Sequence, residues 1–145
     1  MAISQAIANS FKKQLLEGDH NFKQSGGDKF KLALYTAGAT LTSATTAYTT
    51  SGEVAASGQY SAGGGALVNA GTSITAGVAR VDFNNLSFTG VTLTARGALI
   101  YNTSSDTTNA AVAVLDFGAD KTATSGTFTI QFPNFTSSAA ILRIA

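Results

Sequence analysis

The chain has 145 residues, of which 44% are hydrophobic and only 12% charged, with a net charge of +1 and no cysteine. That length favours one domain with a core large enough to fold without staples. A net charge near zero leaves no field of one sign to hold nucleic acid or an anionic membrane, and the lack of cysteine removes disulfides, thiolate catalysis and zinc–cysteine sites together.

Charged residues are about half as frequent as in ordinary globular domains. Thr, Ser, Ala and Gly take their place, which gives a polar, weakly charged surface suited to packing against other protein. No apolar run reaches the roughly 20 residues that span a bilayer. The opening "MAISQAIANSFKKQ" places its lysines after its apolar residues, the reverse of a signal peptide, so Sec-dependent export is not expected.

Residues 1–18 predict the one helix. Ser4 is placed to cap it through its hydroxyl. Ile7, Phe11 and Leu15 recur every four residues on one stripe, with Ile3 before the cap and Leu16 beside the stripe. Lys12 and Lys13 complement the dipole near the C-terminal end, and Gly18 ends the helix as a residue able to turn left-handed. A helix of about 14 residues is marginal alone and must dock on its own domain or on a neighbouring subunit.

"GDHNFKQSGGDK" reads as a loop. "FKLALYT" alternates, with Phe30, Leu32 and Leu34 on one face and Lys31, Ala33 and Tyr35 on the other, the pattern of a half-buried strand. Residues 36–66 hold few large apolar groups and end in "SAGGGA". They read as a long Thr/Ser/Gly-rich loop anchored by Tyr48, Val54 and Tyr60, and loops of this length in compact domains usually have a function.

From residue 67 the pattern is β throughout. "VARVDFNN" sets Ala79, Val81 and Phe83 against Arg80 and Asp82. "LSFTGVTLTARGALIYN" sets Val91, Leu93, Ala95, Leu99 and Tyr101 on one face, and places Arg96 outward with Thr94 and Ala98, where a guanidinium suits a cross-strand carboxylate or a partner's surface. "AVAVLDFG", "TFTIQF" (Phe128, Ile130 and Phe132 inward) and "AAILRIA" follow, with turns expected at 103–109, 118–126 and 133–138. Short strands between such turns predict a mainly β fold, an antiparallel β-sandwich, jelly-roll-like, with one N-terminal α-helix and residues 1–145 as a single domain. No βαβ rhythm is present.

Candidates for chemistry are few. His20, the single histidine, follows Asp19, but no second His or Cys exists to build a transition-metal site, and it reads as a solvated loop residue. Asp116-Phe117-Gly118 lacks the glycine-rich loop, strand lysine and catalytic-loop aspartate that give the kinase tripeptide its meaning. With Asp120 it offers oxygen ligands of the kind calcium prefers, without the EF-hand spacing. Its simpler reading is a strand end entering a turn. Gly63-Gly64-Gly65 lacks the lysine and Ser/Thr of a phosphate loop and reads as flexible. No nucleophile elbow occurs, so no enzyme and no cofactor is expected.

"MAISQAIANSFKKQLLEGDHNF", "DKFKLALYT", "TAYTTSGEV" and "YSAGGGAL", followed by "FTGVTLTARGALIYNTSSD", "AVAVLDFG" and "GTFTIQFP", resemble in that order the small virion structural proteins of tailed bacteriophages, of the kind frequent in cyanophage genomes. The family pattern often carries Trp where this chain has Phe88 and Phe132. The resemblance implies a virion component, foremost a decoration or cement protein on the capsid exterior, with the major capsid protein as partner and a homo-oligomer, a trimer above others. Neck, tail and head-fibre positions stay open. So does a glycan-binding attachment module, which would want exposed aromatics such as Tyr35, Tyr48, Tyr60 and Tyr101. Apart from the resemblance, the marginal helix and the long loop make residues 1–18 and 36–66 the expected contact regions. Ile3, Ile7, Phe11, Leu15, Tyr48, Val54, Tyr60 and Arg96 are the candidate interface residues.

Overall fold

A long antiparallel hairpin runs through the middle of the fold. In the computed structural model, which describes residues 2–133 and 141–144, strand β6 (Leu86–Asn102) pairs with β7 (Ala110–Ile130) across the turn at 103–109. Around it lie β1 (Ala6–Ile7), β2 (Phe30–Tyr35) and β3 (Gly65–Ala66), giving a five-stranded sheet in the order β1-β7-β6-β2-β3. A smaller sheet has the order β4-β5-β8, from β4 (Asn69–Thr75), β5 (Val78–Phe83) and β8 (Leu142–Ile144). Helix α1 (Asn9–Leu16) completes the described elements. The expected mainly β, antiparallel, sandwich-like architecture with one helix near the N-terminus is what forms. Consecutive strands β4–β5 and β6–β7 pair directly as hairpins rather than alternating between sheets as in a jelly roll.

The helix starts later than expected. Ser4 does not cap it, because residues 3–7 are extended. The Ser4 N–H donates to Leu41 O at 2.9 Å, and Ala6 and Ile7 pair with Val114 and Ala113. Ala8 occupies the N-cap without a side-chain bond. Pairing to a preformed sheet edge satisfies the backbone of these residues more fully than a first helical turn, which leaves orphan donors. The stop is as expected: Gly18 takes φ +78°, and the Asp19 N–H donates to Gln14 O while that of Gly18 donates to Leu15 O, a Schellman closure.

β2 is a central strand buried on both faces, not a half-buried one: Ala33 and Tyr35 are as inaccessible as Leu32 and Leu34. One face carries Phe30, Leu32 and Leu34 beside their cross-strand partners Asn102, Ile100 and Ala98. It meets an aromatic cluster in which Phe22 stacks on Phe30 at 4.6 Å and Phe30 lies 5.6 Å from Phe83 of the small sheet. The other face, with Tyr35 and Tyr101, lies under the 36–66 segment, whose Tyr48 ring stacks on Tyr101 at 4.8 Å.

β7 is continuous where a turn at 118–126 was expected. Between the pairs Ala95↔Lys121 and Gly97↔Asp116, β6 advances from 95 to 97 while β7 advances from 116 to 121, so residues 117–120 bulge outward. Gly118 makes this possible with φ +79°, and its N–H donates to Asp116 Oδ1 at 2.9 Å. Asp-Phe-Gly therefore bends a strand without ending it. The turn at 103–109 forms as expected, with Asn109 at φ +51°, and the one placed at 133–138 lies outside the described residues from 134 onward. Along the outward face of the hairpin, Ser87 meets Thr129 and Thr94 meets Thr122 through hydroxyl pairs at 2.9 Å. The weakly charged composition thus becomes a hydroxyl-covered surface.

β5 keeps its expected division of faces, with Phe83 in the core and Val81 packed against it, but its polar face is covered too. Arg80 and Asp82 are buried with Phe83, and Ala79 and Val81 are the half-buried pair. Arg80 Nη2 donates to Ser73 Oγ at 2.6 Å and Thr75 Oγ1 at 3.0 Å, which gives the buried guanidinium polar partners on β4.

Candidate functional site

The candidate interface residues fall in four separate places. Tyr48, Val54 and Tyr60 are drawn into the chain's own interior by Glu53. The Glu53 carboxylate accepts from Tyr48 Oη at 2.6 Å, Tyr60 Oη at 2.8 Å and the Gly63 N–H at 2.7 Å. Tyr101 Oη donates to Gly63 O at 2.6 Å, and Tyr35 Oη donates to Thr49 O at 2.6 Å.

The same segment closes the outer edge of β2. Leu34 N–H donates to Tyr60 Oη at 2.7 Å, Val54 N–H to Leu34 O at 2.9 Å, Leu67 N–H to Phe30 O at 2.9 Å, and Thr36 N–H to Gly52 O at 2.9 Å. The long loop thus serves as an irregular edge strand that blocks pairing with other chains there. Gly64 lies against β2 at φ +81°, where any Cβ would overlap the Leu32 carbonyl. The triple glycine is a close-packing device, which corrects its reading as flexible. Burial raises the tyrosine hydroxyls of this cluster, with the nearby Glu53 charge adding to the effect; Tyr101 is pushed up to about 12, and Tyr35, Tyr48 and Tyr60 further.

Val54 and Tyr60 are buried and Tyr48 half-buried in the chain's own core, so the first two present no surface to a partner in this fold. Tyr35 and Tyr101 are buried as well, which removes the aromatic platform that a glycan-binding reading needs. Ile3 is likewise internal, in a parallel bridge with Leu41. Arg96 stands apart, with Nε 3.6 Å from Asp116 Oδ1 on the neighbouring strand and both side chains about a third exposed, the cross-strand carboxylate pairing expected of it. Asp116 is thereby engaged by Arg96 and by Gly118, and among the described residues no group of three acidic or histidine side chains converges on a metal position.

Ile7, Phe11 and Leu15 do come together, on one wall of a cleft of about 470 Å³ between α1 and the small sheet. Phe11 is buried at its base, with Ile7 and Leu15 partly open. The strand registers fix the opposite wall: Ile74↔Ala79↔Ile144 form one row across the three strands and Thr72↔Val81↔Leu142 the next, on the same face. Much of this apolar surface faces solvent. Ile144 in its lining is 58% exposed, Ile74 next to it in the row 71%, and Leu16, which follows Leu15 in α1 outside the lining, 91%. Contiguous apolar surface left open is characteristic of contact sites for protein, membrane or ligand. The sequence hid it because β4 was not resolved as a strand, so the rows across the small sheet could not be drawn.

His20 lines the inner side of this cleft and is buried, not solvated. Its Nε2 lies 2.9 Å from Gln14 Oε1 and its Nδ1 2.9 Å from Asn102 Nδ2. Phe11 packs at 4.8 Å from the ring. Burial lowers its pKa, with the charges of Asp19 and Asp28 opposing. Its position directly after the Schellman turn of α1 points it inward, a consequence of helix geometry that composition alone does not reveal. Compared with protein-family models, with curated proteins and with solved structures, the chain matches none.

Proposed function

We propose that the chain is a structural protein of a tailed-phage virion that binds the capsid exterior as a decoration protein, bridging capsomers through contact with the major capsid protein. The observation that carries the reading is the apolar cleft in which Leu15 of α1 faces Ala79 and Ile144 of the small sheet, with the exposed Ile74 continuing that row and the exposed Leu16 following Leu15 in the helix. Such a face gains free energy by being covered, at about 25 cal/mol per Å² of apolar surface removed from water. The virion setting rests on the resemblance of the sequence motifs to small phage structural proteins. Of the two contact regions expected from the sequence, residues 1–18 and 36–66, the proposal keeps the first, where Ile7, Phe11 and Leu15 border the cleft, and sets aside the second, whose Val54 and Tyr60 are buried.

Many copies on a symmetric lattice sum weak contacts into durable attachment, and symmetric sites favour a cyclic homo-oligomer, a trimer foremost. The test is co-sedimentation of the purified chain with phage heads. Wild-type protein is expected to saturate the heads, and Leu16→Asp with Ile144→Asp, both on exposed positions, to lose binding while keeping the native circular dichroism. Full occupancy by the double variant would refute the assignment of this face.

A further inference from the structure

The polar contacts around His20 admit one protonation state. Asn102 is fixed as an amide by its own partners: its Oδ1 accepts the Ser104 N–H at 2.8 Å and its Nδ2 donates to Asp28 Oδ2 at 2.8 Å. The remaining Nδ2 proton points at His20 Nδ1, 2.9 Å away, so Nδ1 must be the acceptor. Nε2 then carries the ring proton and donates it to Gln14 Oε1 at 2.9 Å, while Gln14 Nε2 donates to Thr107 Oγ1 at 3.4 Å. A relay of hydrogen bonds thus runs from α1 through the one histidine to the β6–β7 turn and to Asp28 in the following loop.

A second proton has no place in the relay, because an N–H on Nδ1 would face the N–H of Asn102. Turning the Asn102 amide to accept it would break the bonds to both Ser104 and Asp28.

We propose that His20 is a pH-operated latch, neutral and closed near neutrality, whose protonation at Nδ1 releases α1 and the 19–28 loop from the β6–β7 turn. The charged groups around it are Asp19, whose Oδ1 accepts the Asp106 N–H at 2.7 Å, and Asp28, with Lys23 of the same loop and Arg80 and Arg143 of the small sheet bordering the cleft and the Lys13–Glu17 pair on the outer side of α1. The two aspartates favour the imidazolium and burial among Phe11, Phe22 and Phe30 disfavours it, with burial the larger effect. Because α1 forms one wall of the apolar cleft, opening the latch would reshape that wall.

The test uses the isolated chain, so its outcome does not depend on capsid binding. With one histidine in the sequence, the ring Cε1–H resonance gives an unambiguous titration by NMR. The expected midpoint lies below 6.5, and the Gln14 and Asn102 side-chain amides and the α1 backbone amides move with the same midpoint. The local opening equilibrium should rise about tenfold for each pH unit between 6.5 and that midpoint. In His20→Phe, which replaces the imidazole with a ring suited to its aromatic neighbours, the α1 transition should vanish. A wild-type ring midpoint at or above 6.5, or α1 amides that do not follow the ring, would overturn the proposal without recourse to the variant. An α1 transition that persists unchanged in His20→Phe would also overturn it.

Discussion

Glu53→Ala tests whether one carboxylate holds the 36–66 segment against the sheet. The substitution removes the acceptor for Tyr48 Oη, Tyr60 Oη and Gly63 N–H. The three donors do not suffer equally. Tyr60 keeps the Leu34 N–H as a donor to its oxygen and can swing its own proton to Leu34 O, 3.4 Å away. Tyr48 is half-buried and can turn to water. Gly63 is buried, and its N–H has no second acceptor in the network.

An orphaned buried donor costs about 1–3 kcal/mol and a lost bond to a charged acceptor about 1.5–3 kcal/mol before water compensates. With Tyr60 and Tyr48 largely compensated, the sum is about 3 kcal/mol. At a urea m-value of about 2 kcal/mol per molar, the unfolding midpoint should fall by about 1.5 M. Glu53→Gln retains one carbonyl acceptor and should fall about half as far. Leu34 and Val54 amides, which the segment covers, should exchange faster in both variants. A midpoint shift in Glu53→Ala below about 0.3 M, several-fold under the loss expected for one buried orphan, would refute the network as the segment's anchor.

Three further outcomes follow from the same geometry. Gly64→Ala combines a left-handed backbone with overlap on the Leu32 carbonyl and should cost on the order of 3 kcal/mol, read by urea denaturation; a neutral result would mean the loop does not press on β2 there. The raised tyrosine pKa values make stability fully present below about pH 10 and lost as pH rises through the folded values. Absorbance at the tyrosinate band should therefore appear only with unfolding or, for Tyr101, near 12, and a tyrosinate midpoint near 10 for all four in the folded chain would contradict the burial. Asp116→Asn should change stability by less than about 1 kcal/mol by thermal melts, since its ion pair with Arg96 is partly exposed; a loss of several kcal/mol would show that the bulge depends on the charge.

The strand content was legible because alternation survives wherever one face meets solvent: β6 was bounded at Leu86–Asn102 from its apolar spacing alone. The fully buried β2 carried alternating character only through Lys31, and its second face was closed by a segment whose anchors are thinly spread. Bulges defeated the reading of β7, since Gly118 and Gly126 look like turn residues whether the strand ends or bends around them. The small sheet was missed at Ala76-Gly77, two residues at φ +51° and +79° that join β4 to β5 in a tight hairpin. Of the candidate contact residues, the Ile7–Phe11–Leu15 stripe was placed by periodicity, although its first member belongs to β1. Tyr48 and Tyr60 were seen as anchors, yet the residue that joins them was passed over. Glu53 is one of two glutamates in the chain, and a lone acid in a Thr/Ser/Gly stretch between tyrosines was the available signal.

The proposed role is tested most directly by a cryo-EM map of an intact virion that carries this protein. The account predicts density for the chain on the outside of the head, at a symmetric position between capsomers, with Leu16, Ile74 and Ile144 turned into the contact. Density for the chain only in the neck, tail or fibres, or on the head with that apolar face turned to solvent, would contradict it.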